Sequence, residues 1–196
     1  MQKLIPNDAV LVPPEAELKF QGEIFNVYQW QQKLFDGSSA TFEMLKRTDT
    51  VIAICVVEDK ILIVDDEQPY FGNRQGFPGG RIDDNDSSIE AAAAREVREE
   101  TGYSFKNWRT IDVRQPYDKV EWFVHVVLGW QVSGRGEPHP DAGEKITTEL
   151  ITFDKLTERI QKKIGSFGNA QTLFENLATF DDLLNKPAFN GQLVGR

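Results

Sequence analysis

Apolar and polar positions alternate in the first quarter of the chain. From Lys19 to Leu34 the apolar positions are Phe20, Ile24, Phe25, Val27, Tyr28 and Trp30, which predicts strands with a break near Gly22–Glu23. Asp36-Gly37-Ser38-Ser39 is turn chemistry, and Thr41–Lys46 reads as a return strand, so residues 19–47 form a meander. Val51–Val57 and Ile61–Val64 are continuous β-branched and apolar runs on either side of Glu58-Asp59-Lys60, the pattern of a buried hairpin. Residues 65–81 hold Pro69, Gly72, Gly76, Pro78, Gly79 and Gly80 and read as loop. Ser87–Thr101 is the clearest helix: Ser87 with Glu90 fits a capping box, Ala91–Ala94 favour the helix, and Gly102 stands where a C-cap glycine belongs. Strands over Phe105–Val113, Val120–Val132 and Ile146–Phe153 follow, with an acidic loop at Ser133–Gly143. Asp154–Ile164 and Ala170–Leu184 are predicted helical, the second with a core-facing stripe at Leu173, Leu177, Phe180 and Leu184.

Strands, a central helix, strands again and then helices make an α+β chain rather than a βαβ alternation. The 196 residues suit one decorated domain, with an arm and meander at 1–48 and the main body at 49–196. No G-x-G-x-x-G follows a strand, which disfavours a dinucleotide-binding fold. The balance of 22 basic against 31 acidic residues, net −9, comes without a Lys/Arg cluster and argues against nucleic acid as partner. The acidic excess suits either divalent cations or plain solubility. Cys55 is the single cysteine, so an intrachain disulfide and a Cys-based zinc site are both excluded. No apolar run approaches about 18 residues, and the first dozen residues lack a secretion-signal core. A cytoplasmic protein without a membrane span is the expectation.

The chemistry is concentrated in Arg95-Glu96-Val97-Arg98-Glu99-Glu100-Thr101-Gly102. At about 100° per residue, Glu96 and Glu100 lie about 40° apart on one helix face and Glu99 about 60° to the other side. Three carboxylates so close repel one another and raise each other's pKa unless a cation compensates. Hard oxygens of this kind suit Mg²⁺ or Mn²⁺. A solvated acidic face is the alternative. The glycine loop Gly76-Phe77-Pro78-Gly79-Gly80 ahead of the helix shifts the balance, because it lets backbone approach a ligand closely.

With these residues the chain resembles the Nudix hydrolase family. The family box runs Gly, five residues, Glu, seven residues, then Arg-Glu-apolar-x-Glu-Glu-x-Gly-apolar. Gly80 opens it here and Arg95 to Tyr103 close it in full. The first half departs: the Gly80–Arg95 spacing is one residue longer, and no Glu fills the first acidic position, for which Asp86 is the nearest stand-in. The resemblance, from about Val51 to Phe153, implies an α/β/α sandwich around a mixed sheet. It further implies Mg²⁺ (or Mn²⁺) held by Glu96, Glu100, Glu99 and the Gly80 carbonyl, with Arg95 and Asp86 as structural support. Glu99 and Glu144 are its candidate catalytic groups, Glu137 and Asp141 being rivals to Glu144 for the base.

The N-terminal meander resembles the ADP-ribose/ADP-sugar pyrophosphatase branch, in which such a segment often exchanges across a homodimer. The implied reaction is hydrolysis of a nucleoside diphosphate linked to another group, ADP-ribose first, to a nucleoside monophosphate and a sugar phosphate. Arg74, Arg81 and Glu121 are candidate substrate contacts, and Phe25, Tyr28 and Trp30 could stack on a base. The Gly-Phe-Pro-Gly-Gly loop is commoner outside that branch, which keeps open a triphosphate-cleaving enzyme; the altered first half of the box keeps open a nucleotide sensor without turnover. His125 and Cys55 read as core residues.

Overall fold

The computed structural model describes residues 3–70 and 72–194. Its centre is a mixed sheet in the order β11 (Lys145–Ile151), β6 (Lys60–Gln68), β5 (Thr50–Val57), β10 (Val124–Arg135) and β8 (Tyr103–Arg114), with β7 (Gly72–Gly76) on β6. Only the β5–β10 pair is parallel among these neighbours. Alternate residues of the central strands feed two cores, as a strand's period of two requires. Val51, Ala53, Cys55, Leu62 and Val127 pack against Ala92, Ala93 and Val97 of α1 (Ile89–Thr101). On the other face Ile54, Ile61, Ile63, Val126 and Leu128 pack against Leu156, Ile160, Leu173 and Phe174 of α2 (Phe153–Gln161) and α3 (Gly168–Glu175). This is the expected α/β/α sandwich. Among the described residues no helix is long and apolar enough to cross a membrane.

The meander is a second sheet, β2 (Glu17–Gln21), β3 (Asn26–Lys33), β4 (Ser39–Lys46) and the short β9 (Val120–Glu121). The chain ends meet where β1 (Lys3–Ile5) pairs with β12 (Gln192–Val194).

Three local expectations are corrected. The stretch 65–81 is not all loop: β6 continues to Gln68 and β7 pairs with it. Its polar pattern hid the strand, because this outer part of the sheet faces the site and solvent rather than core. The helix cap is Ser88, not Ser87; its hydroxyl accepts from the Ala91 N–H. Glu90 instead accepts from the Thr110 N–H and hydroxyl. The helix expected over Ala170–Leu184 is two, because a capping box of Thr179 and Asp182 starts α4 (Phe180–Leu184) afresh; Leu183, rather than Leu184, is its fully buried residue.

The feature that positions the site is a fork. β5 and β6 pair only through Cys55–Val57. Beyond Leu62, β6 takes β7 as its neighbour, while Ala53 and Val51 of β5 donate to the carbonyls of Pro78 and Gly80. The glycine loop thus fills the opening, and α1 lies across it.

Candidate active site

The apolar face of α1 fixes the helix on the sheet, which leaves Glu96 and Glu100 beside the fork. Arg95 ties the surroundings together. Its Nε and Nη2 donate to the two oxygens of Asp86 at 3.1 and 2.9 Å, a bidentate pair. Nη1 donates to Glu96 (2.8 Å) and Glu99 (3.1 Å), and Nη2 also to the Arg81 carbonyl (2.8 Å). Asp86 accepts from the Asp83 N–H as well. The lengthened loop therefore folds back so that Asp86 meets the box arginine. That contact, with the others, holds Arg95 firmly charged and keeps the Asp86 carboxyl below its usual range.

Two glycines are required by close approach. A Cβ on Gly79 would stand 2.2 Å from the Val51 carbonyl oxygen, and one on Gly80 would stand 2.5 Å from a Glu96 carboxylate oxygen. The Gly79 N–H donates to Glu100 (3.2 Å). The carbonyls of Pro78 and Gly80 both face β5, so the expected ligand carbonyl of Gly80 is already engaged by the Val51 N–H at 2.9 Å. Gly79, between them, turns its N–H the other way, to Glu100.

Glu100 is 9 % exposed. Burial, with the charges of Glu96, Glu144 and Asp66 adding to it against the Gly79 hydrogen bond, pushes its pKa up to about 9. Burial also raises Glu96, against the pull of Arg95. Glu144 is raised by burial and then by Asp66. Asp66, on β6, is the residue that sequence reasoning missed; its Oδ1 is buried without a hydrogen-bond partner, while Oδ2 accepts from Gln68. Its strand pairing could have signalled it, but the run Asp65-Asp66-Glu67 reads as solvated loop. Acidic oxygens crowded with one orphaned acceptor suit a hard divalent cation, which would relieve the repulsion. Among the described residues no three such side chains are gathered as an ion cage; Arg95 draws Glu96 and Glu99 to itself.

A cleft of about 430 Å³ adjoins the loop, lined by Arg81, Gln68, Arg47, Thr48, Glu23 and Ile24. Arg47 was not foreseen. Its guanidinium lies over the Trp122 ring (4.7 Å) and the Phe25 ring (5.4 Å), and its Nε is buried without a partner. Burial, then the nearby Arg81 charge, lower its pKa. A second cleft of about 480 Å³ shares Arg47 and reaches Lys3, Lys46, Asp84 and Glu121.

The other expected substrate contacts fall differently. Glu121 lines that second cleft but is taken up by Lys3, Lys46 and the Val12 N–H. Arg74 is paired across from Asp66 on β7. Tyr28 and Trp30 line neither cleft: they sit on β3, with Trp30 against Phe42 and its N–H on Gln32. Their alternation signalled a strand correctly, but the strand belongs to the outer sheet. Glu137 and Asp141 lie in the loop before Glu144; the Asp141 carbonyl accepts from the Glu144 N–H. His125 and Cys55 are buried, as expected.

Residues 46–171 match the NUDIX domain model. No curated protein matches the sequence. A crystal structure titled ADP compounds hydrolase superposes with a TM-score of 0.63 over 82% of this chain and 85% of that one, at 16% identity, which is a likeness of fold. The domain match spans most of the chain, from the end of β4 through the box to α3, and the chain belongs to the Nudix family of hydrolases.

Proposed function

We propose that this hydrolase is a Mg²⁺-dependent pyrophosphohydrolase that cleaves a nucleoside diphosphate joined to a second moiety, ADP-ribose or a similar nucleotide sugar, to a nucleoside monophosphate and a sugar phosphate. The observation that carries the reading is the juxtaposition of Asp66, Glu96, Glu100 and Glu144 with an arginine-lined cleft at Arg47 and Arg81. The similarity to a structure titled ADP compounds hydrolase supports it. Asp66, Glu96, Glu99 and Glu100 would hold the ion, with the Gly79 N–H steadying Glu100. When bound, the ion supplies charge neutralisation for the phosphate oxygens and acidifies the attacking water. The side chains do the rest. Arg81 and Arg47 grip phosphate oxygens. Arg95, braced by Asp86, orients Glu96 and Glu99. Glu144 takes the proton as water adds to phosphorus and the P–O–P bridge breaks, and its raised pKa suits that role.

Product analysis on a nucleotide panel with and without Mg²⁺ tests the reading. Metal-dependent cleavage of nucleotide sugars supports it. Cleavage of triphosphates alone would assign the other enzyme class, and binding without turnover a sensor.

The same reading includes a homodimer. Leu18, Phe20, Phe42 and the hairpin-tip Phe35 leave the meander with exposed apolar surface. Light scattering should give twice the 22.3 kDa chain mass; a monomer would remove this part. The single buried Cys55 fits a reducing, cytoplasmic setting.

A further inference from the structure

A third cavity, of about 590 Å³, opens on the other end of the carboxylate stripe. It is lined by Glu100 and Thr101 of α1, Arg135 at the end of β10, Gly136 to Pro138, and Ile146 to Thr148 of β11. It shares no lining residue with the two clefts around Arg47. The stripe thus runs from Glu96, which touches Gly80 next to Arg81, to Glu100, which forms a wall of this cavity. One helical turn separates the two, about 6 Å along the axis, which is the scale of a diphosphate.

The roof of the cavity is pinned to the helix end: the Gly136 N–H donates to the Gly102 carbonyl (2.8 Å) and the His139 N–H to the Glu99 carbonyl (2.6 Å). Arg135 lies over the Tyr103 ring at 4.6 Å, which restrains its guanidinium beside the opening. Among the described residues no carboxylate pairs with it. Glu137 adds an acceptor, and Thr148 adds a hydroxyl that donates and accepts; Thr147, next along the strand, turns its side chain to the α2 face with Glu149. A guanidinium free of carboxylate partners, with a hydroxyl and carboxylate acceptors beside it, suits a polyhydroxylated ligand carrying negative charge.

We infer that this cavity receives the non-nucleoside half of the substrate, a sugar phosphate, and that Arg135 is its anchoring residue, with Thr148 as a hydroxyl contact. The inference rests on the pyrophosphohydrolase reading above. It gives that reading two sides: the nucleoside phosphate lies toward Arg47 and Arg81, the sugar phosphate toward Arg135, and the bridge between them crosses the carboxylates.

The test uses the full chain, the Arg135→Ala variant and, as a milder change, Thr148→Val. Titration calorimetry in Mg²⁺ measures ribose 5-phosphate and AMP separately, and steady-state kinetics measure ADP-ribose. Arg135→Ala should weaken ribose 5-phosphate at least tenfold and leave AMP within twofold. KM for ADP-ribose should rise by a similar factor with kcat little changed, and Thr148→Val should move the same way by a smaller factor. A merely structural Arg135 would affect both products alike. Equal effects on the two products, no effect on either, or no ribose 5-phosphate binding to the wild-type chain would each overturn the inference. A wild-type chain that cleaves no nucleotide sugar would instead overturn the reading beneath it.

Discussion

Asp86 is the nearest stand-in for the glutamate of the family box's first half, and its removal tests whether it braces Arg95. In Asp86→Ala the Arg95 guanidinium loses a bidentate partner at 2.9 and 3.1 Å, and the Asp83 N–H loses its acceptor. The Asp86 side chain is 8% exposed and Arg95 23%, so the pair is partly buried at the surface. A hydrogen bond to a charged group contributes about 1.5–3 kcal/mol. Breaking a fully buried ion pair costs about 3–5 kcal/mol, but Arg95 keeps Glu96 and Glu99, which places the expected loss near 2 kcal/mol. For a chain of this size that is a fall in Tm of roughly 4–8 °C. The loss has a pH signature. Arg95 holds the Asp86 carboxyl below its ordinary value of 3.8, so the unfolded chain binds this proton first and stability rises with pH. The gap between wild type and variant should be full at neutral pH and close as pH falls below about 4. Freed from Asp86, Arg95 settles on Glu96 and Glu99, and turnover should fall roughly 10–100-fold. Thermal melts from pH 7 down to pH 3, with activity at neutral pH, give both numbers. A Tm within a degree of wild type at pH 7 would mean that Asp86 does not brace the box.

Further expectations concern the glycine loop and the ion. Gly80→Ala pushes against the mobile end of Glu96, so the fold should persist while Mg²⁺-dependent turnover falls at least tenfold; unchanged turnover would detach Glu96 from the reaction. Gly79→Ala meets the Val51 backbone in a conformation that favours glycine, and should lower Tm markedly, as a melt would read. Mg²⁺ should raise the Tm of the wild type by binding the native state alone. That increment should shrink strongly in Asp66→Asn, whose orphaned oxygen is then no longer anionic; an equal increment in the variant would exclude Asp66 from the ion site.

Much of this molecule is legible in its sequence where local rules act alone. The central helix, its glycine cap at Gly102 and the hairpin ahead of the box follow from periodicity and turn chemistry. The Glu96–Glu100 stripe follows from helical geometry, because its residues are neighbours in the chain. What escapes is what tertiary structure assembles. Asp66 joins the carboxylates through the divergence of β6 from β5, and Arg47 reaches Arg81 because the linker between the sheets folds over Trp122. Arg135 faces Glu100 because β10 runs past the end of α1. The broken C-terminal helix is a subtler miss: the leucine spacing continues through it, yet Thr179 and Asp182 carry a capping signal that outweighs the stripe.

The proposed hydrolysis of a nucleotide sugar depends on a metal held on the Glu96–Glu100 stripe. Its most direct test is phosphorus NMR of ADP-ribose incubated with the wild-type chain and with Glu100→Gln, each with Mg²⁺ and with chelator. AMP and ribose 5-phosphate should form in equal amounts from the wild type with Mg²⁺ only, and turnover should fall at least a hundredfold in Glu100→Gln with its fold intact. Cleavage that survives the substitution or the chelator would contradict this dependence.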